Sequence, residues 1–250
     1  MSVKTNETQV YQVTRLKTLS AVCLSVGWVL SACTVQSSYP QQSTPAAAPQ
    51  QTQTSGSVNF KSVVRRVEAV AESECQQRTS GVNCDFLISV DERENQPPNA
   101  YQTLNKSGRP VLVFTKPLIA DVQNADELAF IMGHEAAHHI AAHLAKTQDN
   151  AFAGALVAGI LASQLGGNAS AIEAAQQIGA TVGSRTYSKE YELEADALGT
   201  VIAHRSGFDP VKGAKYFTRI PDPGNAFLGT HPPNAARVQV VQTTAANLRR

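Results

Sequence analysis

The sequence predicts an α+β domain, mainly α, with a small β-sheet beside one long helix. Three observations carry that reading. Apolar residues recur at helical spacing on both sides of residues 85–117, β-prone runs are confined to that window, and residues 127–146 form a largely apolar run containing His134-Glu135-Ala136-Ala137-His138. At 250 residues, 42% hydrophobic and 16% charged, the chain can bury one good core. A formal charge of +1, with 6% aromatics and no basic stripe, argues against nucleic acid as a partner.

At the N-terminus, Arg15 and Lys17 precede an uncharged stretch, 18–32, rich in Leu, Val and Ala. It is too short to span a bilayer comfortably, so residues 1–32 read as a secretory signal peptide. Leu30-Ser31-Ala32-Cys33 resembles a bacterial lipobox, which implies cleavage before Cys33 and a lipid anchor on that residue. Residues 33–57 are mainly Gln, Ser, Pro, Thr and Ala without any charge, too polar to fold, and predict a flexible tether ahead of a domain at 58–250. With Cys23 removed and Cys33 acylated, Cys75 and Cys84 remain; in an oxidising compartment they predict a disulfide. A zinc pair is the competing reading, but their spacing fits no finger and no second Cys or Cys/His pair lies nearby.

The folded part begins near Val58. Val63, Val64, Val67 and Val70 give a helix over about 60–74, and the runs 86–90 and 111–115 give strands separated by turn-rich Asn95-Gln96-Pro97-Pro98-Asn99. Residues 125–147 then form the long helix, with Asn124 or Asp126 as its cap. Residues 151–172 carry no formal charge; Ser163, Gln164, Gly166, Gly167 and Asn168 interrupt them short of a membrane span, so the better reading is an Ala/Gly-rich helix packed beside the site and broken at Gly166-Gly167. Helical pattern resumes over about 170–183 and 189–205, and the tail holds one or two helices around Ile220-Pro221-Asp222-Pro223-Gly224.

In a helix, residues four apart share a face, so the imidazoles of His134 and His138 can grip one Zn2+ per chain while Glu135 leans over its open side. The bland alternative is a solvated helix with surface histidines. Against it, Leu128, Ala129, Ile131, Met132, Ala136, Ala137, Ile140 and Ala141 make the segment mostly buried, where histidine and carboxylate are costly unless paired or metal-bound. A hydrolytic zinc site needs a third protein ligand and a free fourth position. The pattern H-E-x-x-H-x-x-G-x-x-H is excluded, because Ala141 and Leu144 stand at its last two fixed positions. On a continuous helix His143 falls about half a turn from His134 and His139 points off the same face, so both are expected to be structural. Downstream, Glu192 and Asp196 share one helical face and Glu190 and Glu194 another. The latter pair is expected to be a solvated face; in the former, one carboxylate can bind zinc while the other accepts an imidazole N–H.

Together with H-E-x-x-H, the run Ser188-Lys189-Glu190-Tyr191-Glu192-Leu193-Glu194-Ala195-Asp196 resembles the S-R-x-x-E-x-x-A-D of the HtpX-type and CAAX prenyl-protease-like family of zinc metallopeptidases, the gluzincins, in a lipid-anchored periplasmic form. That resemblance implies a zincin-like metalloprotease domain, with Glu192 as third ligand, Asp196 supporting an imidazole, and Glu135 as catalytic base. Lys189 and Ala137 depart from it, standing where the family usually has Arg and Gly. Asn99-Ala100 and the following strand at 110–115 correspond to the family's edge against which substrate backbone can pair. His231-Pro232-Pro233 with Arg237 is similar to its late H-P-P-x-x-x-R, which brings His231 near the metal, either to stabilise an oxyanion or to cover the zinc at rest; a plain Pro-rich turn is the alternative. The implied activity is zinc-dependent hydrolysis of peptide bonds in misfolded or misassembled envelope proteins, on the periplasmic side of the outer membrane, since Thr34 is not the aspartate that often retains lipoproteins at the inner membrane. A zinc-binding, chaperone-like assembly factor with little proteolysis is the rival.

Overall fold

The computed structural model describes residues 58–226 and 229–250. The expected signal peptide, the Cys33 anchor and the tether up to residue 57 lie outside those residues. Helix α1, Phe60–Arg78, starts where Asn59 accepts a hydrogen bond from the Ser62 amide and runs one turn beyond the expected end. Its buried stripe is Val63, Val67, Ala71 and Cys75, a strict four-residue spacing that presses one face onto the core. Cys75 is bridged to Cys84 across a Cα separation of 5.7 Å, which ties the end of α1 to the start of the sheet.

Three strands follow: β1, Leu87–Asp91; β2, Ala100–Leu104; and β3, Pro110–Thr115. Their order is β1-β3-β2, with β3 parallel to β1 and antiparallel to β2. The centre of the sheet is therefore β3, whose Leu112 and Phe114 are fully buried, and this corrects the expectation that residues 110–115 form the substrate-facing edge. The edges are β1 and β2, and β2 is the one that lines a cleft. The sequence of β2, Ala-Tyr-Gln-Thr-Leu, is nowhere fully buried and has no apolar run to announce a strand.

After the short helix α2, Lys116–Asp121, the central helix α3 spans Ala125–Ile140. Asn124 caps it by accepting from the Glu127 amide, and the Glu127 carboxylate reaches back to the Gln123 amide while Arg219 holds both its oxygens at 2.6 and 2.8 Å. Leu128, Ala129, Met132, Ala136 and Ala137 have no solvent exposure, so α3 is enclosed by α1, the sheet and the helices that follow. The helix does not continue to residue 147. Ala142 adopts a left-handed conformation (φ 55°, ψ 35°), and a new helix α4, His143–Gln164, leaves in another direction.

Helix α4 forms a hairpin with α5, Ala169–Thr186, turning at Gly166. A side chain on Gly154 or Gly179 would collide with the facing helix backbone, and that close approach leaves Phe152, Leu156, Ile160 and Leu165 on the exposed sides. Among the described residues no helix is long and apolar enough to cross a membrane. Helix α6, Ser188–Arg205, returns to pack along α3; α7, Pro210–Gly213, a 3-10 turn over Ala214–Thr218 and α8, Asn234–Leu248, close the remaining face through Phe130, Phe217 and Val241.

The Cys75–Cys84 bridge closes a short loop, so its removal should lower stability by about 2–3 kcal/mol. Denaturant unfolding of the Cys75→Ser, Cys84→Ser double variant is expected to show this loss with an unchanged native helical signal. Equal midpoints for variant and parent would show that the bridge does not constrain the fold.

Candidate active site

Two helices supply the centre. His134 and His138 lie one turn apart on α3, and their Nε2 atoms approach to 3.0 Å. From α6, Glu192 places Oε1 3.3 Å from His138 Nε2 and Oε2 3.6 Å from His134 Nε2. These three residues are the one group of metal-capable side chains found among the described residues, one donor atom from each lying within 4.8 Å of the others. A zinc ion with ligands at about 2.0–2.1 Å in a tetrahedron requires donor separations of about 3.3 Å, so the observed spacings fit such an ion. Imidazole and carboxylate donors suit zinc, and three protein donors leave a fourth position to the adjoining cleft.

The distance between the helices is set by two glycines. A Cβ on Gly133 would stand 2.8 Å from the Gly199 carbonyl oxygen, and one on Gly199 would stand 2.8 Å from the His134 amide nitrogen. Backbone therefore lies on backbone at the crossing, and the short Glu192 and Asp196 side chains can reach the histidines. Asp196, fully buried, puts Oδ1 2.9 Å from His134 Nδ1. Arg237 of α8 clamps the same carboxylate with two bonds of 2.7 Å, while its guanidinium lies 3.9 Å above the Phe217 ring. Burial pushes the Asp196 carboxyl up, but hydrogen bonds from Arg237 and His134 outweigh it and hold the group below the usual range. Glu192 is balanced the same way: burial opposes its charge, and His138, His231, His134 and Arg237 together keep it ionised. Burial likewise lowers His138, yet the carboxylates of Glu192 and Glu135 raise it overall.

His231, half exposed on the loop before α8, holds Glu192 Oε2 at 3.1 Å from its Nδ1. The loop is pinned from the start of α6: Lys189 Nζ donates to Asn225 Oδ1 and the Ala226 carbonyl, and Ser188 Oγ donates to the Gly229 carbonyl. Lysine at 189 thus finds two acceptors of its own, though not the paired geometry an arginine would offer. Glu135 points into a cleft of about 930 Å³ shared with His134, His138, Glu192, His231 and the β2 edge. At that edge Asn99 and Ala100 differ. Asn99 exchanges both main-chain bonds with Thr115, through its Oγ1 and its amide, whereas antiparallel alternation turns the N–H and C=O of Ala100 and Gln102 away from β3.

His139 behaves as expected of a structural histidine, bonded to the Asn83 carbonyl and edge-on to Phe86. His143 does not face elsewhere. The break at Ala142 turns it back so that its Nδ1 lies 2.9 Å from His138 Nδ1, and its Nε2 lies 3.0 Å from Glu194 Oε2, a residue expected only on a solvated face. Burial pushes the His143 imidazole down, keeping it neutral. Gly133 and Gly199 were not among the expected site residues, and Arg237 entered only with the H-P-P-x-x-x-R motif; one glycine next to His134 and another three residues after Asp196 were the available signals.

Compared with known proteins, residues 58–245 match the profile of Peptidase family M48. The chain is 28% identical over 181 residues to the beta-barrel assembly-enhancing protease of Escherichia coli (strain K12), covering 66% of this chain and 34% of that protein. It is 33% identical over 115 residues to a Vibrio cholerae serotype O1 protein provisionally given the same name, covering 42% of this chain and 23% of the relative. The aligned part thus spans about a quarter to a third of those relatives.

Replacing Gly199 by alanine should force α3 and α6 apart, costing about 1–3 kcal/mol and weakening metal binding. Unfolding and zinc titration of Gly199→Ala test this, and unchanged values for both would mean that the crossing has slack.

Proposed function

We propose that this chain, which belongs to Peptidase family M48, is a zinc-dependent metalloendopeptidase of the bacterial cell envelope. The observation that carries the reading is the convergence of His134, His138 and Glu192 in one cleft with Glu135 beside them. Zinc held by those three side chains would supply Lewis acidity to a water and to the scissile carbonyl. Glu135 takes the proton of that water and passes it to the leaving amine. His231, at the rim, steadies the Glu192 carboxylate and donates toward the oxyanion; the same contact suits a resting state in which it covers the site.

The peptide enters along β2. The outward N–H and C=O groups of Ala100 and Gln102 extend the sheet by one substrate strand, and the Asn99 side chain flanks it from the end of the cleft. Main-chain pairing suits unfolded polypeptide of varied sequence. Unfolded envelope proteins are the proposed substrates, an assignment supported by the names of the relatives, which refer to beta-barrel assembly. The same reading includes a lipid on Cys33, the tether at 33–57, the peptidase domain at 58–250, and residence on the periplasmic side of the outer membrane. Within the family, the runs 188–196 and 231–237 support the HtpX-type and CAAX prenyl-protease-like branch.

Purified protein incubated with an unfolded polypeptide should cleave it, stop with a chelator and resume on adding zinc. Glu135→Gln should keep its zinc and lose cleavage by at least ~10²-fold. Full proteolysis by that variant would sink the assignment, and zinc binding without any cleavage by the parent would favour an assembly factor instead. Gln102→Pro removes an outward N–H and leaves the bonds to β3 in place, so it should lower kcat/KM about tenfold with little change in stability. An unaltered kcat/KM would exclude pairing at that edge.

A further inference from the structure

A metal-bound imidazole is held in place by what its other nitrogen meets. His134 has Asp196 directly on Nδ1. His138 has no carboxylate there. Its Nδ1 faces the Nδ1 of His143 at 2.9 Å, and a nitrogen pair at that distance holds one proton between them: two would repel and none would leave no bond. With His138 Nε2 turned to the metal position, its Nδ1 must carry the proton and His143 Nδ1 must accept it. Neutral His143 then carries its own proton on Nε2, where Glu194 Oε2 accepts at 3.0 Å.

Three further features hold this arrangement. His143 is buried; Tyr191 stacks on it with centroids 4.7 Å apart and planes at 17°, and Asn150 donates to the Tyr191 hydroxyl. On a continuous helix, residues five apart point about 140° away from each other and could not meet. The left-handed Ala142 is what brings His143 back onto His138.

We propose that His143, oriented by Glu194, is a positioning residue for the metal site: it fixes the tautomer and ring angle of His138 so that the Nε2 lone pair points where the ion binds. The two histidines of H-E-x-x-H are then supported differently, His134 by a buried carboxylate and His138 by a histidine that relays a carboxylate half exposed at the surface. This inference rests on the reading of His138 as a zinc ligand.

Nuclear magnetic resonance of the zinc-loaded protein, with ¹⁵N-labelled histidine, tests it directly. A protonated His138 Nδ1 with scalar coupling across the hydrogen bond to an unprotonated His143 Nδ1 is expected; a proton on His143 Nδ1 would overturn the proposal. In zinc titrations, His143→Leu should weaken binding about 10- to 100-fold, and Glu194→Ala only a few-fold, because water can replace its exposed oxygen. His143→Asn should restore most of the affinity, since its amide oxygen can accept from His138 Nδ1 as the ring nitrogen did; a role in packing alone would give no such rescue. If His143→Leu binds like the parent while Glu192→Ala does not, the relay fails and the zinc site stands. Should Glu192→Ala also bind like the parent, the zinc site itself is wrong.

Discussion

The contact of Gly133 with Gly199 is the constraint on which the rest depends. Ordinary helix pairs lie 8–10 Å apart, with side chains interdigitating between them. Here the helices cross at backbone distance, directly beside His134. One turn of α6 on one side of Gly199 gives Asp196, and a further turn gives Glu192; one residue beyond Gly133 on α3 gives His134, and the next turn gives His138. The two missing side chains thus set the spacing of the metal-capable cluster, and a β-carbon at either position would shift the carboxylates of α6 against the histidines of α3.

Bringing so many polar groups into a helix crossing is expensive unless each is partnered. No buried side-chain nitrogen or oxygen among the described residues lacks a hydrogen-bond partner. Arg237 is central to that balance. It neutralises Asp196 in a bidentate pair, lies 3.5 Å from Glu192 Oε2, and rests its planar face on Phe217, which an ammonium group could not do as well. Through Arg237 the C-terminal helix becomes part of the site, and the loop just ahead of that helix delivers His231. The chemistry therefore draws on segments a hundred residues apart in sequence, from α3 to α8.

Much of this was legible in the sequence, for identifiable reasons. His134, His138 and Glu135 are tied by helical phase within one segment, and the four-residue interval between Glu192 and Asp196 does the same on α6; local geometry carries such information. The Cys75–Cys84 pair was likewise readable, because few cysteines and a short loop leave few alternatives. Less was visible where local propensity was silent. Ala141 and Ala142 are good helix formers, so nothing announced the turn that ends α3, and with the helix continued in mind His143 appeared to face away from the site, while the phase of α6 placed Glu194 on a solvated face. The β2 strand has a polar, irregular pattern because one side of it lines a cleft rather than a core, and β3 was assigned to the edge in its place. In both cases tertiary packing decided what propensity left open.

X-ray absorption of the zinc-loaded protein reads the ligand set of the metal itself. One ion per chain is expected, in a shell of nitrogen and oxygen without sulfur, with outer-shell scattering from the imidazoles of His134 and His138 and a carboxylate contribution that disappears in Glu192→Ala. A shell of imidazoles with no carboxylate, sulfur ligation, or a spectrum unchanged by removing Glu192 would contradict it.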